Sequence, residues 1–183
     1  MSNVMCLWIS TTGLDYDNDE IIGLAVSDVN GKLLARSLFM PERVQEISST
    51  TTSVNGIDMN KLIYTNAPFY RDKISRINTL LATADVVIVF NRDYTFHFLY
   101  GINTSNFVVL DMMEFYATLN GKMIPDTTEY RFMKFSHMLQ RAGVDEAPFV
   151  PNRSPENAVR LLAAAYTELR KFYEPEMESF YRH

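Results

Sequence analysis

Acidic side chains follow three apolar runs of the sequence, at points where strands are expected to end. Asp15, Asp17 and Asp19 come after the first run, and Asp93 and Asp111 come after two later ones. Carboxylates of this kind can hold Mg²⁺ or Mn²⁺, and a pair of such ions activates water in hydrolytic enzymes. Asp93, Asp111 and one turn aspartate could form such a metal site. The alternative is that they are structural, because turn aspartates stabilise loops and an aspartate before a helix caps it.

Two of the three histidines could serve as general bases. His97 and His137 lie in segments with helical spacing of apolar residues, where a histidine is more often packed or exposed than catalytic. The sequence holds a single cysteine. An internal disulfide framework and a multi-cysteine zinc site are therefore excluded.

Composition predicts one folded domain over residues 1–173, with residues 174–183 as a C-terminal tail. The chain has 183 residues, of which 47% are hydrophobic and 21% charged. Its formal net charge of -5 disfavours a general electrostatic attraction to nucleic acid but leaves room for a local basic patch. No apolar run has the ~20 residues of a membrane span, and no secretory signal pattern is present. We therefore expect a cytoplasmic protein with no membrane partner.

The first third of the chain has the pattern of β-strands. Apolar runs occupy residues 4–9, 21–26 and 32–40, and Asn30-Gly31 separates the last two. Asn-Gly favours the positive φ angles of a tight hairpin turn. These runs predict a three-stranded antiparallel meander.

The remainder alternates between helical and strand patterns. Residues 84–90 and 107–110 are continuous apolar runs, typical of strands covered on both faces. Helical spacing predicts helices over residues 69–81, 95–100, 111–119, 130–142 and 155–172. Together with the meander, this order predicts an α/β fold with a mixed five-stranded sheet and helices on both faces.

Short motifs occur in a characteristic order along this framework. Residues 10–15 read Ser-Thr-Thr-Gly-Leu-Asp, residues 19–22 read Asp-Glu-Ile-Ile, residues 54–57 read Val-Asn-Gly-Ile, and residues 84–91 end in Phe-Asn. In this order they resemble the 3′–5′ exonuclease family of proofreading epsilon subunits, ribonuclease T and exonuclease X. The resemblance extends from about residue 7 to residue 169. It implies a ribonuclease H-like fold, in agreement with the predicted five-stranded sheet.

The family's catalytic residues are replaced in this sequence. Members use four carboxylates to hold two divalent cations, and a histidine acts as general base. The resemblance aligns the carboxylates with Trp8, Ser10, Thr95 and Asn157, and the histidine with Asn152. An indole neither ligates a hard cation nor leaves space for one. The resemblance therefore implies no catalytic residue and no metal, with Mg²⁺ or Mn²⁺ needed only if an active nuclease has relocated its ligands.

Strand geometry gives a more specific expectation for the aromatic replacement. Side chains in a strand alternate between faces, so Trp8 and Ser10 share the face that carries the metals in the family. We expect Trp8 to pack near Thr95 and Asn157 and to close the former metal pocket.

The turn that contacts the terminal nucleotide in the family is retained. It consists of Thr11, Thr12, Gly13 and Leu14, and Asn91 is retained as well. The resemblance implies that these residues form a nucleotide-binding pocket. The alternative is structural, with Gly13 kept for its turn and the threonines for hydrogen bonds within it.

A second candidate contact lies in the segment predicted as a helix over residues 130–142. Arg131, Lys134 and Arg141 fall on one face of that helix. A basic stripe near aromatic residues can follow a phosphate backbone. It can equally be the solvated face of an amphipathic helix.

Three functions remain open. The first is a catalytically degenerate exonuclease-fold protein that binds a nucleic-acid end, such as that of a single strand, or acts with a protein partner in nucleic-acid metabolism. The second is a protein-interaction module or homodimer without a nucleic-acid role, which the 12 Phe, 10 Tyr and 10 Met would suit by placing apolar groups on the surface. The third is an active metal-dependent exonuclease with relocated ligands.

Overall fold

A single mixed sheet lies at the centre of the computed structural model, which describes residues 3–44, 46–149 and 153–182. Within these residues the strands are β1 Val4–Thr11, β2 Ile21–Asp28, β3 Leu33–Leu38, β4 Val86–Val89, β5 Val108–Asp111 and β6 Tyr181–Arg182. The α-helices are α1 Ser49–Asn55, α2 Met59–Tyr64, α3 Ile74–Leu81, α4 Arg92–Phe98, α5 Met112–Asn120, α6 Phe135–Arg141 and α7 Pro155–Glu178. Short 3₁₀ turns join several of them.

The sheet has the strand order β3-β2-β1-β4-β5-β6. β1, β2 and β3 form the predicted antiparallel meander, and β4 and β5 pair in parallel beside β1. The hairpin between β2 and β3 turns at Gly31, whose φ of 78° is the left-handed conformation that glycine adopts without strain. The predicted meander and the predicted α/β class are confirmed.

The sheet has one strand more than the five predicted. β6 pairs antiparallel with β5 and is formed by the chain that follows α7. Met177 is buried, and the ring of Phe180 meets that of Phe115 at 5.6 Å in an edge-on contact. Within residues 174–182, which are mostly exposed, Met177, Phe180 and β6 thus contact the rest of the domain.

Helices cover both faces of the sheet, as predicted. On one face α5, α6 and α7 pack over residues such as Cys6, Ile88 and Leu110. On the other face α3 and α4 pack over residues such as Leu7 and Val87. No helix of the described residues is both long enough and apolar enough to span a bilayer.

α7 begins where its sequence predicts. The side chain of Ser154 accepts a hydrogen bond from the backbone N–H of Asn157, and Pro155 occupies the first turn. A Cβ on Gly23 of β2 would lie 2.8 Å from Cγ of Pro155. The glycine thus lets the start of α7 approach the sheet beside the end of β1.

One helix begins later than predicted. Residues 130–134 are not helical, because residues 122–131 pair as a hairpin in which Arg131 N–H donates to Lys122 C=O at 2.7 Å and Ile124 N–H donates to Glu129 C=O at 2.9 Å. An antiparallel bridge joins Met123 to Tyr130. α6 therefore starts at Phe135.

The single cysteine should be unreactive in the folded protein. Cys6 lies in the centre of β1 with no exposed surface, and burial raises the pKa of its thiol. Because the thiolate is the nucleophile, we expect no labelling by a thiol-disulfide reagent under native conditions and one equivalent per chain in denaturant. Fast labelling of the native protein would contradict this packing of β1.

Candidate functional site

A cavity of about 430 Å³ opens beside the end of β1. β1, the turn that follows it, α1, the start of α4 and Arg153 surround it. Its lining includes Trp8, Ser10, Thr11, Gly13, Leu14, Val54, Phe90, Asn91, Tyr94 and Arg153. The cavity thus contains most of the residues that the sequence predicted for a nucleotide pocket.

Trp8 and Phe90 line the cavity, and the ring of Phe135 packs against both. The ring centroid of Trp8 lies 4.8 Å from that of Phe135 and 6.4 Å from that of Phe90, with the second pair stacked at 22°. Phe90 and Phe135 meet edge-on at 5.0 Å. Trp8 is half-buried, and the pocket beside it stays open. Trp8 thus lines an open cavity, and the expectation that its ring closes the former metal pocket stays a prediction.

The two residues expected beside the indole do not line the cavity. Thr95 is buried, and its hydroxyl donates to the carbonyl of Asn91 at 2.8 Å, one helical turn back. Asn157 lies in the first turn of α7, and neither residue lines the cavity. Asn152 lies outside the described residues. The side chain that α4 points into the cavity is Tyr94.

A hydrogen bond joins α4 to β1 across the floor of the cavity. The hydroxyl oxygens of Tyr94 and Thr11 are 2.5 Å apart, and the Thr11 hydroxyl donates to the carbonyl of Gly13 at 2.5 Å. Because a threonine hydroxyl has one proton, Tyr94 is the donor to Thr11. Burial raises the pKa of Tyr94, which keeps its phenol protonated and able to donate.

Structural contacts account for three of the four residues in the turn of residues 11–14. The Thr11 hydroxyl bonds to Tyr94 and Gly13, and the Thr12 hydroxyl donates to Asp19 Oδ1 at 2.7 Å. A Cβ on Gly13 would lie 2.3 Å from Asp19 Oδ2, so a larger residue would displace this carboxylate from its bonds to Thr12 and Asp15. Leu14 has no such role, since 80% of its surface is exposed at the mouth of the cavity.

Asn91 also has a structural role. Its φ is 72°, a left-handed conformation that asparagine tolerates better than most residues. Its Oδ1 accepts the backbone N–H of Tyr94 at 3.0 Å and caps α4. This cap accounts for the asparagine without a ligand, although the residue borders the cavity.

The carboxylate of Asp111 is occupied by hydrogen bonds from the backbone. Its carboxylate accepts the N–H groups of Asn91 at 3.0 Å, Arg92 at 2.8 Å and Met113 at 2.8 Å. The residue is buried, and it caps α5 as the sequence predicted. It thereby joins the carboxyl ends of β4 and β5.

The other candidate carboxylates are separated from the cavity. Asp15 accepts the side-chain N–H of Asn18 at 2.7 Å and the backbone N–H of Asp17 at 2.9 Å, and these bonds lower the pKa of Asp15. Asp93 is exposed in the first turn of α4 and does not line the cavity. Within residues 3–44, 46–149 and 153–182, no three His, Cys, Asp or Glu side chains are grouped to hold a metal.

Arg153 is the one charged side chain among the described residues of the cavity wall. Its guanidinium lies 5.7 Å from the centroid of the Phe135 ring and forms an ion pair with Glu146. Sequence reasoning assigned no role to Arg153, Tyr94 or Phe90. Each of the three is adjacent in sequence to a residue that the resemblance singled out: Arg153 to Asn152, Tyr94 to Thr95, and Phe90 to Asn91. This adjacency could have identified them as residues near the site.

The three basic residues predicted on one helical face do not share a helix in the structure. Arg131 and Lys134 precede α6 and border a second cavity of about 690 Å³. Arg141 lies at the end of α6 and donates to the hydroxyl of Tyr173 at 3.3 Å. The predicted stripe is wrong because the chain before Phe135 is a hairpin.

Neither of the two candidate histidines lines the first cavity. His97 Nε2 lies 3.1 Å from the carbonyl oxygen of Tyr16, and the two rings stack at 4.3 Å. His137 Nδ1 lies 2.7 Å from the hydroxyl of Tyr116. Both contacts agree with the structural interpretation of these residues.

Comparison with known proteins gives matches at the level of the fold. No protein-family model and no curated protein sequence matches the chain. E. coli exonuclease I in complex with a dT13 oligonucleotide is similar over 98% of this chain and 43% of its own, at 12% identity and a TM-score of 0.65. The zinc-bound complex of that enzyme with single-stranded DNA has a TM-score of 0.64 at 12% identity, over 98% of this chain and 42% of its own.

The nuclease-containing catalytic unit of Neurospora crassa Pan2 is also similar. It matches 99% of this chain and 30% of its own, at 11% identity and a TM-score of 0.70. The chain thus spans less than half the length of these proteins. The matches show that it has the ribonuclease H-like fold of 3′–5′ exonuclease domains.

Proposed function

We propose that this chain is a catalytically inactive exonuclease-fold protein that binds the end of a single-stranded nucleic acid in the cavity beside Trp8. The observation that carries the proposal is the cavity itself. It stays open next to the retained turn, while the described side chains around it include one arginine and no carboxylate. Such a site does not suit a pair of divalent cations, which need carboxylate ligands.

The apolar rim of the cavity supports a nucleobase as the ligand. Leu14 and Val54 expose 80% and 57% of their surfaces there. The half-buried ring of Trp8 offers a face for stacking, and base–aromatic stacking contributes about 1–3 kcal/mol per base in proteins that bind single strands. The similar structures of exonuclease I contain a dT13 oligonucleotide or single-stranded DNA, which supports the same class of ligand.

Truncating the exposed leucine should weaken binding of a strand end. Leu14→Ala removes apolar surface at the cavity mouth but no contact that holds the fold, so we expect about a tenfold higher Kd with unchanged stability. Fluorescence anisotropy with a short 5′-labelled oligothymidylate measures this. Leu34→Ala is the matched control, because Leu34 is an exposed leucine on β3 away from the cavity. Equal affinities of the two variants would overturn the proposed pocket.

The same oligonucleotide should remain intact during the binding experiment. We expect no shortening in the presence of Mg²⁺ or Mn²⁺, since the aligned ligand positions hold Trp8, Ser10, Thr95 and Asn157. Cleavage that is lost in Asp93→Asn or Asp111→Asn would establish the alternative of relocated ligands.

A protein-interaction role is the second candidate. Ile63 and Tyr64 on α2 expose 62% and 91% of their surfaces, and Phe172 on α7 is also largely exposed. Exposed apolar groups of this size are common where proteins associate. Sedimentation equilibrium of the chain, with and without Tyr64→Ser, tests whether this surface forms a homodimer.

A further inference from the structure

A basic groove lies beside the cavity, between the hairpin of residues 122–131 and α6. Its volume is about 690 Å³. Lys122 and Arg131 come from the hairpin, and Lys134 immediately precedes α6. In the part of the chain that the structure describes, these three side chains form no ion pair.

The acidic residues of this groove are already engaged. Glu146 forms its ion pair with Arg153, and Asp145 Oδ1 accepts the backbone N–H of Ala147 at 2.9 Å. Since Glu146 is paired with Arg153, the carboxylate of Asp145 stands against the three cationic side chains, and the groove has a net positive charge. This local excess contrasts with the net charge of -5 of the whole chain.

Aromatic side chains are exposed along the same groove. Phe132 lines it and exposes 59% of its surface, and Tyr130 exposes 40% on the adjoining hairpin. Cations alone would suit any anion. Unpaired cations alternating with exposed rings are the combination that binds single-stranded nucleic acid, through phosphates and stacked bases.

The groove and the cavity adjoin each other. Phe135, which follows Lys134, contacts both Trp8 and Phe90 of the cavity wall. Arg153 lines the cavity, while its ion-pair partner Glu146 lines the groove. The Arg153–Glu146 pair thus connects the two sites, and a strand whose end lies beside Trp8 would reach the groove past this pair.

We infer that the groove of Lys122, Arg131, Phe132 and Lys134 binds the nucleotides upstream of the end held in the cavity. The inference rests on the proposed function, and it predicts that affinity grows with strand length. The ligand is a single strand, since the groove presents rings for unstacked bases as well as cations for phosphates. An acidic peptide would use the cations and leave the rings exposed.

Oligothymidylates of 4 and 12 nucleotides, labelled at the 5′ end, test the groove by anisotropy across a range of salt concentrations. We expect the 12-mer to bind at least tenfold more tightly than the 4-mer. The double variant R131E/K134E should remove that gain and leave the 4-mer unchanged. Removing one cation that binds a phosphate should reduce the slope of log K against log salt by about 0.7. R76E is the matched control, because Arg76 is exposed on α3.

The outcomes separate the two proposals. If the 4-mer binds and Leu14→Ala weakens it, but the 12-mer gains nothing, the groove is overturned and the end pocket stands. If a circular single strand binds as well as the linear 12-mer and R131E/K134E abolishes both, the groove stands and the end pocket is overturned. If neither oligonucleotide binds, both proposals fail. Circular dichroism of R131E/K134E confirms that the variant is folded.

Discussion

Replacing Asp111 by alanine should lower the free energy of unfolding by roughly 3–5 kcal/mol, one of the two largest effects that we expect. The carboxylate accepts three backbone N–H groups, from Asn91, Arg92 and Met113. Alanine would leave these donors without their acceptor at a site that is 8% exposed. The substitution should destabilise two helices, because the three hydrogen bonds connect the starts of α4 and α5.

Urea unfolding of Asp111→Ala and of a second capping variant measures the effect. Asp58 also caps a helix, but its side chain accepts a single N–H, from Lys61 at 2.7 Å, at a more exposed site. Asp58→Ala should therefore cost about 1 kcal/mol. Asp111→Asn should fall between the two, since one side-chain oxygen remains to accept.

The same variants distinguish a cap from a metal ligand. If Asp111 were a metal ligand, Mn²⁺ would raise the melting temperature of the parent protein and not that of Asp111→Ala. We expect Mn²⁺ to change neither. A stabilisation by Mn²⁺ that depends on Asp111 would contradict the structural role and favour an active nuclease.

The fold was largely predictable from local patterns. Continuous apolar runs marked β4 and β5, Asn30-Gly31 marked the hairpin, and Ser154-Pro155 marked the start of α7. β6 could not be predicted, because a strand of two residues has no periodicity and depends on its pairing with β5. Residues 130–134 have the apolar spacing of a helix, but Tyr130 and Arg131 pair across a hairpin and the helix begins only at Phe135.

The candidate site was predictable in position but not in detail. The Thr-Thr-Gly-Leu turn borders a cavity at the end of β1, and its role in binding stays a prediction. Strand alternation gave the face of Trp8, but not the depth at which the ring sits, because Phe90 and Phe135 come from other elements. The same limit applies to Tyr94, whose entry into the cavity depends on where α4 begins.

Restoring two of the aligned carboxylates should destabilise the protein without producing an exonuclease. The variant combines Trp8→Asp with Ser10→Glu. It removes the contacts of the Trp8 ring, whose centroid lies 4.8 Å from that of Phe135 and 6.4 Å from that of Phe90. It also places a carboxylate at position 10, where the serine is only 6% exposed. We expect a loss of roughly 3–5 kcal/mol in the free energy of unfolding.

Two features of the surroundings prevent a cation from compensating. Thr95, aligned with the third ligand, is buried and its hydroxyl donates to the carbonyl of Asn91. Arg153, the cation nearest in the cavity wall, is already paired with Glu146. The new carboxylates would therefore have neither a complete set of metal ligands nor a free positive partner.

Thermal melts with and without Mn²⁺, combined with digestion of labelled single-stranded DNA, test this variant. A loss of this size should lower the melting temperature by about 6–20 °C for a domain of this length. Trp8→Phe and Ser10→Ala are the controls, since each keeps an uncharged side chain of similar shape, and both should melt close to the parent. Cleavage by the double variant, or a melting temperature that Mn²⁺ restores, would mean that the surroundings of Trp8 can complete a metal site. The cavity would then be a metal site that lacks two ligands, and no longer a pocket adapted to a strand end.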